Sequence, residues 1–121
     1  MILFNLVSGD NCCNRVEATY ERGSKNGAYD GQSDRFTSYT KQRGDINDKP
    51  QYLSDNGEEA IWYQGGKWRV GSIESKGSSW AGMTTKSTDD CPNEPAFNWR
   101  YFDDDEWHDA DQGFSIWCEE D

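Results

Sequence analysis

The stretch AIWYQGGKWRVGSI, residues 60–73, is the part of the sequence whose reading decides the fold. Gly65-Gly66 supplies the positive φ angles of a two-residue hairpin turn, whose twist must match that of the flanking strands. On either side of it the residue types alternate: Ile61 and Tyr63 against Trp62, then Trp68 and Val70 against Lys67 and Arg69. Successive residues of a strand point to opposite faces, so this is an antiparallel hairpin with one face in and one face out. Trp68 is expected in the core. Trp62 opposes Ile61 and Tyr63, so either it or they face outward.

Outward from the hairpin, turn signals recur at residues 23–29 (GSKNGAY), 43–50 (RGDINDKP), 54–59 (SDNGEE), 75–79 (SKGSS) and 89–95 (DDCPNEP). The short runs between them are rich in β-branched and aromatic residues. They predict strands at 2–7, 36–40, 51–53, 80–84, 98–102 and 114–118, with Pro50, Pro92 and Pro95 in loops. Residues 14–20 (NRVEATY) lack Gly and Pro and leave a helix open there. The expected architecture is all-β: one domain over residues 1–121, a compact antiparallel sandwich or partly open barrel of short strands, stabilised by disulfides.

Composition agrees with an aromatic core. The chain is 33% hydrophobic with a mean hydropathy of −1.08, yet 14% aromatic with six Trp. A disordered polar chain lacks such residues, because it has nothing to bury. Each ring buries roughly 150–250 Å² and so supplies what few aliphatic residues cannot. The net charge is −11. Nine acids and no Lys or Arg lie in residues 101–121, while the rest of the chain carries 12 basic against 14 acidic residues. A chain this acidic repels a phosphate backbone, so nucleic acid is not an expected partner. No run approaches the ~20 apolar residues of a membrane-spanning helix, and membrane insertion is not expected.

The four cysteines are Cys12, Cys13, Cys91 and Cys118. Their even number predicts two disulfides and an oxidising, extracellular setting. A bridge between the neighbours Cys12 and Cys13 would be strained, so each is expected to join one of Cys91 and Cys118, either way round. Zinc is the rival, but the usual Cys-x-x-Cys spacing is missing and the single His108 lies among acids. The opening MILFNLVSG is too short for a signal peptide and has no basic flank, so the sequence reads as a mature form or a module of a longer chain.

The ordered set VSG (7–9), NGAY (26–29), YTK (39–41), NDKPQY (47–52), AIWYQGGKWRVG (60–71), AGM (81–83), CP (91–92), Trp99, Trp107 and FSIWC (114–118) resembles a small Trp-rich module. Such modules occur singly or in tandem in secreted and surface proteins of marine invertebrates and algae. The resemblance spans nearly the whole chain and implies an extracellular β module with no settled activity. The paired Cys12-Cys13 and the acid-rich segment before Trp107 depart from its typical members.

Three groups of residues are candidates for function. Asp103, Asp104, Asp105, Glu106, Asp109 and Asp111 repel one another unless solvated or bound to a cation. The plain reading is a solubilising loop. The sharper one is a calcium site, since Ca²⁺ is held by carboxylates, carbonyls and water, and DADQG (109–113) has an Asp-x-Asp-x-Gly spacing. Asp105, Asp109 and Asp111 are its candidate ligands, with calcium the one cofactor expected. Among the Trp residues, Trp68, Trp99 and Trp117 are expected in the core. Trp62, Trp80 and Trp107 are candidates for stacking on sugar rings beside hydrogen-bonding acids. No nucleophile elbow, phosphate loop or metalloprotease motif occurs, and catalysis is not expected. The expected function is a non-enzymatic extracellular binding or adhesion module for a glycan or a matrix protein. The alternative is a structural subunit that assembles with further copies of itself, for example by donating the apolar strand MILFNLV.

Overall fold

The computed structural model describes residues 11–20, 32–95, 99–103, 105–110 and 114–119. Among them are nine strands: β1 (Arg15–Tyr20), β2 (Ser38–Ile46), β3 (Lys49–Ser54), β4 (Glu59–Gln64), β5 (Lys67–Ser72), β6 (Met83–Lys86), β7 (Arg100–Asp103), β8 (Glu106–Asp109) and β9 (Phe114–Cys118). They form one antiparallel sheet in the order β8-β7-β6-β5-β4-β3-β2-β1-β9. Strands β1 to β8 meander, each beside its predecessor, and β9 returns to the free side of β1.

This order forces curvature. Strands lie ~4.8 Å apart, so a flat sheet would hold its edges β8 and β9 nearly ~40 Å apart. The chain from Asp109 to Phe114 reaches at most ~19 Å, at ~3.8 Å per Cα step. The sheet therefore curls into a half-barrel, with β8 and β9 at its two edges. Trp99, just before β7, packs edge-on against Phe114 of β9 with ring centroids 4.8 Å apart and so bridges the two edges.

The core fills the concave face. Alternate residues point inward: Val16, Ala18 and Tyr20 from β1, Tyr39 from β2, Tyr52 from β3, Ile61 from β4, Trp68 and Val70 from β5, Met83 from β6, Tyr101 from β7, and Phe114 and Ile116 from β9. The rings bring polar tips with them, and a buried donor without a partner costs about 1–3 kcal/mol. Four of them, on Tyr39, Tyr52, Tyr63 and Trp68, donate to backbone carbonyls near the strand ends, whereas Trp99 Nε1 is buried without a partner. At one end of the barrel Trp68 Nε1 donates to Asp89 O, Tyr63 Oη to Ser87 O and Tyr52 Oη to Cys13 O. At the other, Tyr39 Oη donates to Arg35 O, below the 3-10 turn Ser33–Arg35.

Both disulfides sit at the first of these ends. Cys12 joins Cys91 and Cys13 joins Cys118, with Cα–Cα distances of 5.4 and 5.7 Å. Closing loops of 79 and 105 residues removes denatured-state entropy worth roughly 4–5 kcal/mol for each bridge.

Several sequence expectations need correction. Residues 14–20 contain no helix; Val16, Ala18 and Tyr20 are buried with a period of two, and the segment is β1. The segment 43–50 is not an open loop, because β2 runs to Ile46 and turns at Asn47 and Asp48, whose φ angles are 55° and 70°. Asn and Asp tolerate that region better than other non-glycine residues. Pro50 accordingly lies inside β3, opposite Asp45 and next to a register shift between Lys41 and Asp45, where a missing N–H is tolerated. The strand expected at 80–84 begins only at Met83. Strand β8 was hidden by its acids. Trp117 is 60% exposed, because it shares the phase of Ser115 rather than that of Phe114 and Ile116. The apolar strand expected at 2–7, and with it strand donation, lies outside the described residues.

Two outcomes test this architecture. Trp68→Ala should cost ~3–5 kcal/mol in urea unfolding, the usual penalty for deleting a buried large aromatic; a change below ~1 kcal/mol would place Trp68 outside the core. Non-reducing peptide mapping should yield the linked pairs Cys12–Cys91 and Cys13–Cys118 once Cys12 and Cys13 are cleaved apart by partial acid hydrolysis. The crossed pairs would contradict the arrangement of the two loops.

Candidate functional site

The convex face of the sheet carries the candidate site, and it is built around Trp62. Trp62 does point away from Ile61 and Tyr63, but it is fully buried, which rules out the expected stacking on a sugar. Residues 73–82 fold back over it, and its Nε1 donates to Ser78 O at 2.8 Å. Gly71 makes this approach possible: a Cβ there would lie 3.1 Å from Ala81 Cα and 3.2 Å from Trp62 Cη2. Arg69, also on the convex face, ties the same segment down from Nη1 to Ser79 O, while its Nε donates to Gln64 O. Trp62 is therefore the anchor of a loop, and Trp80 is what that loop presents.

Trp80 is 74% exposed and Trp107 is 37% exposed. The structure brings these two candidates together. Trp80 and Trp107 line one cleft of about 290 Å³ with Ser79, Ala81 and Phe102. Phe102 and Trp107 face each other across β7 and β8 and meet edge-on at 5.4 Å. Ser78 holds the Trp80 backbone by accepting its N–H at 3.0 Å. The result is a shelf of three rings whose positions are set by the sheet and one pinned loop.

Trp107 also borders a second hollow of about 480 Å³, lined by Lys67, Thr84, Thr85, Lys86 and Arg100. Pairing puts these cations side by side: Lys67 lies opposite Lys86, and Thr84 lies between Arg69 and Arg100. Arg69 is only 7% exposed, and loss of hydration lowers the pKa of its guanidinium. The ion pairs between described residues join Arg15 to Asp55 and Glu119, Arg35 to Glu59, and Lys49 to Asp90; none involves these four cations. Among the described residues Asp109, opposite Arg100, is an acid on the same face.

The expected calcium ligands are not brought together in this way. Asp105 sits in the β7–β8 turn with φ 66°, while Asp109 ends β8. Asp105 thus precedes β8 and Asp109 closes it. Asp111 lies outside the described residues. Among the described residues no group of three or more His, Cys, Asp or Glu gathers as a metal site would. His108 points inward and stacks on Tyr101 at 5.1 Å. Phe102, Lys67, Lys86 and Arg100 were not singled out from sequence. Only the alternation of Lys67 and Arg69 against Trp68 and Val70 hinted at a cationic face, and its breadth depends on strand pairing.

The class defined here is a disulfide-tied antiparallel half-barrel with an aromatic and cationic groove on its outer face. In comparisons with protein-family models, curated proteins and solved structures, the chain matches none of them.

A buried ion pair below the opposite end of the barrel supplies a pH signature. Arg35 Nε lies 2.9 Å from Glu59 Oε1, and the Glu59 side chain is 11% exposed. Burial raises the Glu59 pKa, and Arg35 opposes that shift without cancelling it. The unfolded chain then loses this proton at lower pH than the folded one. The contribution to stability is complete below the ordinary glutamate range and falls as pH rises through that range to the raised value. Relative to wild type, Glu59→Gln should thus gain melting temperature between pH 4 and pH 7. A difference that stayed flat or shrank with rising pH would contradict the raised pKa.

Proposed function

We propose that this protein is a non-enzymatic extracellular carbohydrate-binding module that holds a glycan on the shelf of Trp80, Phe102 and Trp107. The observation that carries this reading is the convergence of an exposed Trp80 and a half-exposed Trp107 on one cleft. Exposed rings of this size are costly in water unless they serve a contact, and a sugar's C–H face is a natural complement to a flat ring. Ser79 and Thr84 at the margins supply hydroxyls that both donate and accept hydrogen bonds. Anchoring of Trp80 through Trp62 and Arg69 leaves little ordering entropy to be lost on binding. Two disulfides suit an extracellular setting. The Trp-rich module resemblance implies an extracellular setting as well.

The test is a titration of the protein with soluble oligosaccharides, followed by tryptophan fluorescence and calorimetry. Trp80→Ala should weaken binding at least tenfold, or ~1.4 kcal/mol, while shifting stability by less than ~0.5 kcal/mol. Trp107→Ala should weaken binding as much and cost a further ~0.5–1.5 kcal/mol of stability through the lost contact with Phe102. If both variants bind a saccharide as wild type does, the shelf is not the site.

A further inference from the structure

The groove joins two unlike halves, and the cationic half needs its own explanation. Lys67 and Lys86 stand directly opposite each other on neighbouring strands, the arrangement that destabilises a sheet through like-charge repulsion. Arg100 is one strand further on, and Arg69 lies buried beneath, its charge met by two backbone carbonyls rather than a carboxylate. The chain holds 23 acids against 12 basic residues, yet three of the basic ones line this hollow with a fourth, Arg69, beneath, and among the described residues Asp109 is an acid beside them. Repulsion of this kind is relieved when an anion sits between the cations.

We propose that the groove selects an anionic glycan, with a carboxylate or sulfate of one sugar held by Lys67, Lys86 and Arg100 while the adjoining sugar stacks on Trp107. This rests on the carbohydrate reading above and names its ligand class. Trp107 joins the two halves, because it borders both the cationic hollow and the aromatic cleft. A ring and an anion on consecutive sugars then meet their partners at once. The net charge of −11 sets the charge density of the ligand. A dense polyanion would be repelled along most of its length by the rest of the protein. A sparsely charged polysaccharide, with one anionic group near the patch and neutral sugars beyond it, keeps the local attraction and avoids that repulsion. Thr84, between Arg69 and Arg100 in the strand register, also lines the hollow.

The experiment uses matched short oligosaccharides with one anionic group each in calorimetry: a galacto-oligosaccharide carrying a single galacturonate against its methyl ester, and one carrying a single sulfate against its neutral counterpart. Wild type should bind at least one charged member ten times more tightly than its neutral partner, and the two pairs separate carboxylate from sulfate recognition. Lys67→Gln/Lys86→Gln should abolish that preference and, without ligand at low salt, melt no lower than wild type because the repulsion is gone. Asp109→Asn should strengthen binding of the charged member. Equal affinity for both members of each pair, or an unchanged preference in the lysine variant, would overturn the anionic selectivity and leave the carbohydrate reading standing. Binding of no saccharide, neutral or charged, would instead sink the carbohydrate reading itself. Tighter binding of a single-stranded oligonucleotide or a polyglutamate peptide than of any saccharide would overturn the proposal by assigning the patch to another class of partner.

Discussion

The connection between β8 and β9 covers only residues 110–113, yet the two strands are the opposite edges of one nine-stranded sheet. From that constraint the rest follows. The sheet cannot stay flat, so one face becomes concave and the other convex. The concave face has to be filled, and with few aliphatic residues the filling is done by rings: Tyr20, Tyr39, Tyr52, Trp68, Trp99, Tyr101 and Phe114. The curl brings Trp99, just before β7, against Phe114, at the start of β9.

A core of Tyr and Trp imposes a second condition, since each ring but Phe carries a donor. For Tyr39, Tyr52, Tyr63 and Trp68 the loops at the strand ends answer it with backbone carbonyls, while Trp99 Nε1 is left without a partner. Residues 87–91 take the tips of Tyr63 and Trp68, and Cys13 takes that of Tyr52. The disulfides tie those same segments to the sheet. Covalent bonds and hydrogen bonds thus hold the same loops, and the loops in turn orient the rings. The convex face follows a parallel logic on a smaller scale, where Trp62 and Arg69 hold residues 73–82 and those residues present Trp80.

What was legible in the sequence was whatever depended on neighbours in the chain. The Gly65-Gly66 turn, with φ of 64° and 78°, and the inward phase of Trp68 were open to a period-two reading. So were the four paired cysteines, from their count and the strain of a vicinal bridge. Trp117 was misplaced because residue type was weighed above phase; its neighbours Ser115 and Ile116 show which way it points. Trp62 could not be placed, since its burial depends on a loop that folds back from eleven or more residues away. The groove was half legible. Trp80 and Trp107 stood out by type, but Lys67, Lys86 and Arg100 come from three strands and meet only through register. Strand β8 lay concealed under acids, whose charge reads as loop although its other residues, Trp107 and His108, alternate correctly.

The Cys13–Cys118 bridge also decides how this domain would carry load. Its two half-cystines are 105 residues apart in sequence but 5.7 Å apart in space. Tension applied to the chain outside them passes from one to the other through the sulfur atoms, not through the hydrogen bonds of the sheet. Strands β1 to β8, the loop under Trp80 and the whole convex groove lie inside this covalent short circuit. Stretching of the chain beyond the two half-cystines therefore bypasses the groove, which lies on the unloaded side of the bridge.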